Sequence, residues 1–380
     1  MNAAALRRRG YSIRALREMA RNTLPRMIFD MVDGAAGDEI TMRRNEAALA
    51  DIEFVPKLLA GAPRRDQSVE LLGVKLPSPI VVGPTGLAGL LWPHAEIAAA
   101  RAAARFGTIY ATSHASTSTI EEIGAASSAP KWMQVFLFKD RGVTAEFAQR
   151  AKAAGYRGLL LTVDNQVTAG RDRDLKNNMA FPLRFTPRNA LDLLSRPGWL
   201  WRMRRTPLPT AVNYGERMKI GAFGALMAEQ LDPAVGWSDV AWLRRIWDGP
   251  LLIKGLLHPE EAVAARKRGA DAIVVSNHGG RQLDGAIASI AALPAIVDAV
   301  GDELPVLIDG GFRRGIDVLK ALALGARAVL IGRPILWALS VNGAQGVSAV
   351  LEHLRTELIR AMALSGTPTL ADATPDLIAS

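Results

Sequence analysis

Eight short apolar runs, rich in valine, isoleucine and leucine, recur along the chain, most ending in glycine or a polar residue. They are Pro79–Gly86, Thr108–Ser113, Lys131–Phe138, Gly158–Asp164, Pro250–Gly255, Ala272–Gly280, Pro305–Gly311 and Ala328–Pro334. With one exception they start roughly 22–33 residues apart, the length of one strand-plus-helix unit. Near-continuous apolarity, without alternation, reads as parallel strands buried on both faces. The stretches between them read as helices. Ala95–Phe106 is alanine-rich and stops at Gly107, while Pro259–Arg268 opens on proline, carries Glu260 and Glu261 in its first turn and ends basic before Gly269. Asp317–Leu324 closes at Gly325. Eight such units favour a closed barrel over an open sheet. The expectation is an α/β chain, a single (β/α)8 TIM barrel over residues 1–380 with an N-terminal helical extension.

The exception is a span of about 85 residues between Asp164 and Pro250, where one unit needs roughly 25. This 165–249 excursion leaves the C-terminal end of the fourth strand, on the face where barrel sites are built. Its segment Arg184–Arg205 holds six arginines against Asp192 alone, together with Trp199 and Trp201. Arginine with tryptophan suits a bilayer interface, and equally a lid that packs its tryptophans on the barrel. Both readings stay open.

Net charge is +9, which points to anionic partners: nucleic acid, a membrane surface, or a phosphate-bearing cofactor with an acidic substrate. Arg7, Arg8, Arg9, Arg14, Arg17, Arg21 and Arg26 supply part of it. No nucleic-acid module spacing accompanies them, so nucleic acid is not an expected partner. The basic N-terminus reads as a surface helix joining the fold, with an organelle transit sequence as the alternative. No charge-free apolar run reaches the length of a membrane span, and no signal-peptide stretch is seen. The expected location is cytoplasmic, or peripheral on the inner face of the cytoplasmic membrane. With 0 cysteines, disulfides, thiolate zinc sites and cysteine nucleophiles are excluded, and no metal site is expected.

In a barrel, polar residues at the C-terminal strand ends read as the site. Here these include Thr85, Ser113, His114, Gln134, Thr162, Asp164, Lys254, Asn277, His278 and Asp309. The runs Asp309–Gly315 (DGGFRRG) and Ile331–Pro334 (IGRP) follow strands seven and eight, the usual barrel phosphate position. Their glycines let backbone N–H groups approach an anion, and Arg313 and Arg333 can grip it with paired donors. Lys254 ends an apolar run and needs an anion if it is buried. His278 lies in SNHGGRQLDG (Ser276–Gly285), with Arg281 able to hold a carboxylate while the imidazole takes a proton. Asp164 can steady the protonated ring. His94, His258 and His353 are expected on the surface.

These motifs resemble the FMN-dependent 2-hydroxy acid dehydrogenase/oxidase family, over nearly the whole chain from Leu24–Asp30 (LPRMIFD) to Met362–Gly366. Gly83–Pro93 (GPTGLAGLLWP) is similar to its mandelate and bacterial lactate dehydrogenase branch. The resemblance implies FMN as cofactor and His278 as base, with Asp164 as its partner. It implies that Arg281 and Arg171 bind the substrate carboxylate and that Lys254 sits by flavin N1. Pro84, Thr85, Gly86, Ser113, Gln134 and Thr162 would contact the isoalloxazine. Asp309, Gly310, Gly311, Arg313, Gly332 and Arg333 would hold ribityl and phosphate. It further implies a small 2-hydroxy acid as substrate, a quinone or other electron acceptor, peripheral membrane contact and a tetramer.

The chain departs from the family pattern in the substrate pocket. Met31 and Phe136 stand where the family carries tyrosines, and His114 where an uncharged residue is usual. The expected substrate is therefore an (S)-2-hydroxy acid larger or more apolar than lactate. Alternatives are an O2-using oxidase of the same class, flavin oxidation of an amine or modified amino acid, a flavin protein without turnover, and a phosphate-binding barrel without flavin.

Overall fold

The computed structural model describes residues 10–379 apart from 60, 62–63, 180–185, 205, 207–210 and 218–222. Arg7, Arg8 and Arg9 of the basic N-terminus, and Arg184 and Arg205 of the excursion, lie outside the described residues.

All eight apolar runs form strands. They are β1 (Ile80–Val82), β2 (Tyr110–Thr112), β3 (Lys131–Val135), β4 (Gly158–Thr162), β5 (Leu251–Leu256), β6 (Ala272–Val275), β7 (Val306–Ile308) and β8 (Ala328–Ile331). Each pairs in parallel with its neighbour in sequence, and β8 returns to β1, closing the barrel. The sequence runs overshoot several strands at their C-terminal ends, because apolar and glycine residues continue into the loops.

Side chains alternate across each strand. Val81, Ala111, Trp132, Leu160, Leu252 and Val274 pack together inside the ring, while Val82, Met133, Leu161 and Ile253 face the helices. Continued one step along the strands, the inward series reaches Gln134, Thr162, Lys254 and Ser276. The pleat therefore aims four polar groups into the barrel mouth. An antiparallel hairpin not anticipated from the sequence, Val69–Leu71 with Val74–Leu76, adds Leu71 and Leu76 to the inner cluster. Arg327, just before β8, donates to Glu70 O at 3.4 Å, which places the hairpin over the N-terminal end of the barrel.

The expected helices are present, with small shifts. Ala95–Phe106 stops at Gly107, whose φ is 82°. Pro259–Lys267 ends one residue early, at a cap on Arg268. The helix expected at Asp317–Leu324 runs Gly315–Ala323. It starts earlier because Asp317 accepts the N–H groups of Arg313 and Arg314, each at 2.8 Å, and so caps the first turn. Arg333–Ser365 is long and apolar enough to cross a membrane, but 67% of its apolar window is buried. It is also broken at Asn342–Gly343, where Gly343 has φ 54° and a Cβ would lie 2.7 Å from Trp92.

The N-terminal extension forms α1 (Ile13–Thr23), α2 (Arg26–Asp33) and α3 (Ile40–Asp51). Buried Ile13, Leu16 and Ala20 occupy one face of α1 at helical spacing, as a helix joining the fold requires. The excursion carries helices Asp172–Lys176, Pro187–Leu194, Pro197–Met203 and Phe223–Gln230 before the barrel helix Trp237–Ile246. Its two tryptophans part company. Trp199 donates to Leu90 O at 3.0 Å, packed against the barrel, whereas Trp201 is 67% exposed.

Candidate active site

A cavity of about 580 Å3 opens at the C-terminal ends of the strands. Every site residue expected from the sequence lines it except Asn277 and Asp164, the latter reaching it through His278.

His278 sits just past β6 in a single turn, His278–Gly280, and itself takes φ 57°. That left-handed backbone is uncommon for a residue with a side chain and costs on the order of 1–3 kcal/mol. Neighbours hold it there. Ser276 Oγ accepts the His278 N–H at 3.0 Å, and Asn277 accepts the Gly280 N–H at 3.3 Å. Asn277, expected among the site's polar groups, is instead structural. It exchanges two 2.8 Å hydrogen bonds with Asn45 of α3. Gly280 is required because a Cβ there would lie 2.6 Å from the Met42 backbone of the same helix.

The His278 Nδ1 lies 2.8 Å from Asp164 Oδ1. Burial works against the Asp164 carboxylate, but the charges of His278 and Lys254 overcome it and hold its pKa below the usual value. An ionised Asp164 accepts a hydrogen bond from Nδ1–H, which keeps that proton on the ring and leaves Nε2 as the basic nitrogen. Lys254 bonds Ser276 Oγ at 2.8 Å and pairs with Asp309 at 3.1 Å. Burial pulls its pKa down, while Asp309 and Asp164 outweigh that and raise it, so the ammonium stays charged.

Cations crowd the rest of the cavity. Arg281 fixes its Nη1 on the carbonyls of Met31 and Gly34 at 2.9 and 2.8 Å. Arg333 binds Gly279 O and Gly34 O at 2.9 and 2.7 Å. Burial, then the charges of Arg171 and Arg333, pull the Arg281 pKa well below its ordinary value. Burial and Arg313 lower Arg333 to about 10. Guanidiniums pressed together out of water mark a place built for anions.

The third corner is apolar. Met31, Phe136, Leu175, Met179, Met227 and Leu231 all line the cavity. His114 packs on Phe136 with ring centroids 4.4 Å apart, and its Nδ1 lies 2.5 Å from the Tyr214 hydroxyl. Burial, with a smaller push from His278, lowers the His114 pKa to about 3, so this ring is neutral.

The cavity residues fit a flavin nucleotide. Gln134 Nε2, Thr162 Oγ1, Asp309 Oδ1 and Arg333 Nε are buried with no hydrogen-bond partner among the described residues. Donors and acceptors left together at one mouth, beside an arginine pair, suit a ring with polar edges and a phosphate tail. The phosphate-position motifs and the orphaned groups thus converge on one occupant.

The chain belongs to the FMN-dependent dehydrogenase family, whose sequence profile matches residues 20–380. It is 43% identical over 368 residues to an L-lactate dehydrogenase of Caulobacter vibrioides, covering 96% of each chain. It is 42% identical over 357 residues to a peroxisomal (S)-2-hydroxyacid oxidase of Arabidopsis thaliana, covering 94% of this chain and 93% of that one. The crystal structure of a monotopic membrane protein, (S)-mandelate dehydrogenase, superposes with a TM-score of 0.94 at 36% identity, over 97% of this chain and 99% of that one. A mandelate oxidase structure gives 0.84 at 35% identity, over 97% of each chain. The protein is thus a flavoenzyme of this family.

Sequence reading missed the supports of the site: Ser276, Asn45, and Tyr214 from the excursion. Thr41, Asn45 and Leu49 share the buried stripe of α3, so a polar residue on a core-facing stripe was the available signal for Asn45. His94 and His258 are exposed as expected. His353 is instead half-buried, its Nε2 3.2 Å from Glu357.

Proposed function

We propose that the protein oxidises an (S)-2-hydroxy acid, larger or more apolar than lactate, to the 2-oxo acid. The His278–Asp164 pair beside the Arg281 and Arg171 cations carries this reading. His278 Nε2 takes a proton from the substrate, and Asp164 stabilises the imidazolium that results. Arg281 and Arg171 hold the carboxylate by charge-assisted hydrogen bonds. FMN, when bound, supplies the two-electron acceptor. Pro84, Thr85, Gly86, Ser113, Gln134 and Thr162 would line its ring, Lys254 would face its N1 edge, and Asp309, Gly310, Gly311, Arg313, Gly332 and Arg333 would hold its tail.

Met31 and Phe136 offer no hydroxyl to the substrate, and the apolar corner suits an aryl or longer alkyl side chain. Exposed Leu191, Leu194 and Trp201, at 69, 68 and 67%, support a membrane-peripheral enzyme passing electrons to quinone. The tetramer implied by the family resemblance belongs to the same reading. The relatives include both dehydrogenases and oxidases, so an O2-using enzyme is the second reading.

The test is anaerobic bleaching of the flavin band by a panel running from glycolate and lactate to mandelate and longer aliphatic (S)-2-hydroxy acids. Bleaching by mandelate or a longer acid at least tenfold faster than by lactate is expected. Fastest bleaching by lactate would sink the enlarged pocket, and a band that no hydroxy acid bleaches would move the substrate to the amines. Peroxide formation in air at the rate of turnover would replace quinone by O2.

A further inference from the structure

A second cavity, of about 610 Å3, lies between α1, α2 and the root of the excursion, apart from the flavin cavity. Its lining brings together Arg17, Arg21, Arg26, Arg173, Lys176 and Arg196. Against these six cations stand three carboxylates, Asp30, Asp33 and Asp192.

The carboxylates are already engaged. Asp33, whose side chain is 1% exposed, takes Arg17 at 2.6 Å and Arg173 at 3.0 Å. Asp30 lies 3.4 Å from Arg26 and 3.6 Å from Arg173, and also accepts from Asn177 at 2.8 Å. Asp192 is occupied by the Arg26 backbone N–H at 2.5 Å. Among the described residues Arg21 pairs only with Glu18, 3.7 Å away and on the surface. Lys176 and Arg196 pair with no carboxylate among the described residues. Arg196 commits Nη1 to Asn22 O at 3.0 Å, and its buried Nε has no hydrogen-bond partner among the described residues.

Cations converging on a shared cavity repel one another, and an anion entering there relieves those left without a close carboxylate. Planar guanidinium forks with a nearby ammonium match the three oxygens of a phosphate. The neighbours of Asp192 extend the pattern: Leu191 and Leu194, on the same helix, are exposed. An apolar tail leaving the phosphate would run along them.

We propose that this cavity is a binding site for a phosphate group, either inorganic phosphate or the phosphoester of a lipid headgroup. The proposal does not rest on the active-site reading, since the two cavities share no lining residue.

The FMN-loaded enzyme is melted across a range of inorganic phosphate, against sodium chloride at matched ionic strength. In parallel it is sedimented with phosphatidylcholine vesicles with and without phosphatidylglycerol. Wild type is compared with Arg196→Gln and Lys176→Gln, and with Arg204→Gln, an exposed arginine outside the cavity, as the charge control. A saturable, phosphate-specific rise in Tm that weakens roughly tenfold in the two cavity variants supports the site and names free phosphate. Phosphatidylglycerol-dependent sedimentation with the same loss names the headgroup. Equal behaviour in phosphate and chloride together with indifference to phosphatidylglycerol overturns the proposal. So does an equal loss in Arg204→Gln. Lys176 is exposed, so Lys176→Gln keeps the test decisive should Arg196→Gln fail to fold.

Discussion

His114 shows how one buried ring couples pocket and stability. Its Nδ1 meets the Tyr214 hydroxyl at 2.5 Å, a far better acceptor for that proton than the Met227 sulfur at 4.0 Å. In the folded protein burial holds its pKa near about 3, while an unfolded chain protonates the same ring below about 6.5. Between those values the unfolded state binds more protons, so stability falls as pH falls through the window and is fully present above it. Denaturant unfolding should show a loss of roughly 2 kcal/mol between about pH 7 and about pH 5 from this ring alone. His114→Phe should flatten that part of the profile. An identical slope in the variant would mean that the ring titrates normally.

At the scale of elements, the root of the excursion is clamped to the N-terminal extension. Burial would raise the Asp33 pKa, but Arg17, with Arg173, lowers it, so the carboxylate ties α1 to the helix Asp172–Lys176. Arg171 stands at the N-cap position of that helix. Asp33→Asn should lower stability by about 1–3 kcal/mol, since both partner cations are only partly buried. It should raise KM for the hydroxy acid several-fold with little change in kcat, because Arg171 loses its footing and the base keeps its own. A fall in kcat at constant KM would contradict this. None of the clamp was legible in the sequence, and the reason is distance along the chain. The eight strands, the glycine-bearing turns and the run holding His278 and Arg281 are local patterns, readable within ten residues or so. Asn45 meets Asn277 across 232 residues, and Tyr214 meets His114 across 100. Such pairs are set by the closed barrel and the fold of the excursion, and no local periodicity encodes them. The tryptophan-arginine stretch was half legible: composition marked it as amphipathic, but only packing separates the seated Trp199 from the exposed Trp201.

Over the whole molecule, the flavin cavity is a hole lined with repelling cations and orphaned polar groups. FMN binds only the folded state, so it should act as a stabiliser as well as a cofactor. At a hundred times its Kd the gain is about 2.7 kcal/mol. Stripping FMN should lower Tm by several degrees and re-adding it should restore the value, with Arg313→Ala responding at higher FMN concentration than wild type. An apoprotein melting at the holoprotein temperature would show that these residues do not hold the nucleotide. The hairpin Val69–Leu71/Val74–Leu76 bears on traffic as well as on packing. With one end of the ring stoppered by Leu71 and Leu76, the flavin cavity opens at the other end, and the excursion forms part of its frame. Fuel and oxidant therefore have no way in along the barrel axis from below, and whatever reaches the flavin cavity does so at the strand ends that carry His278 and Arg281.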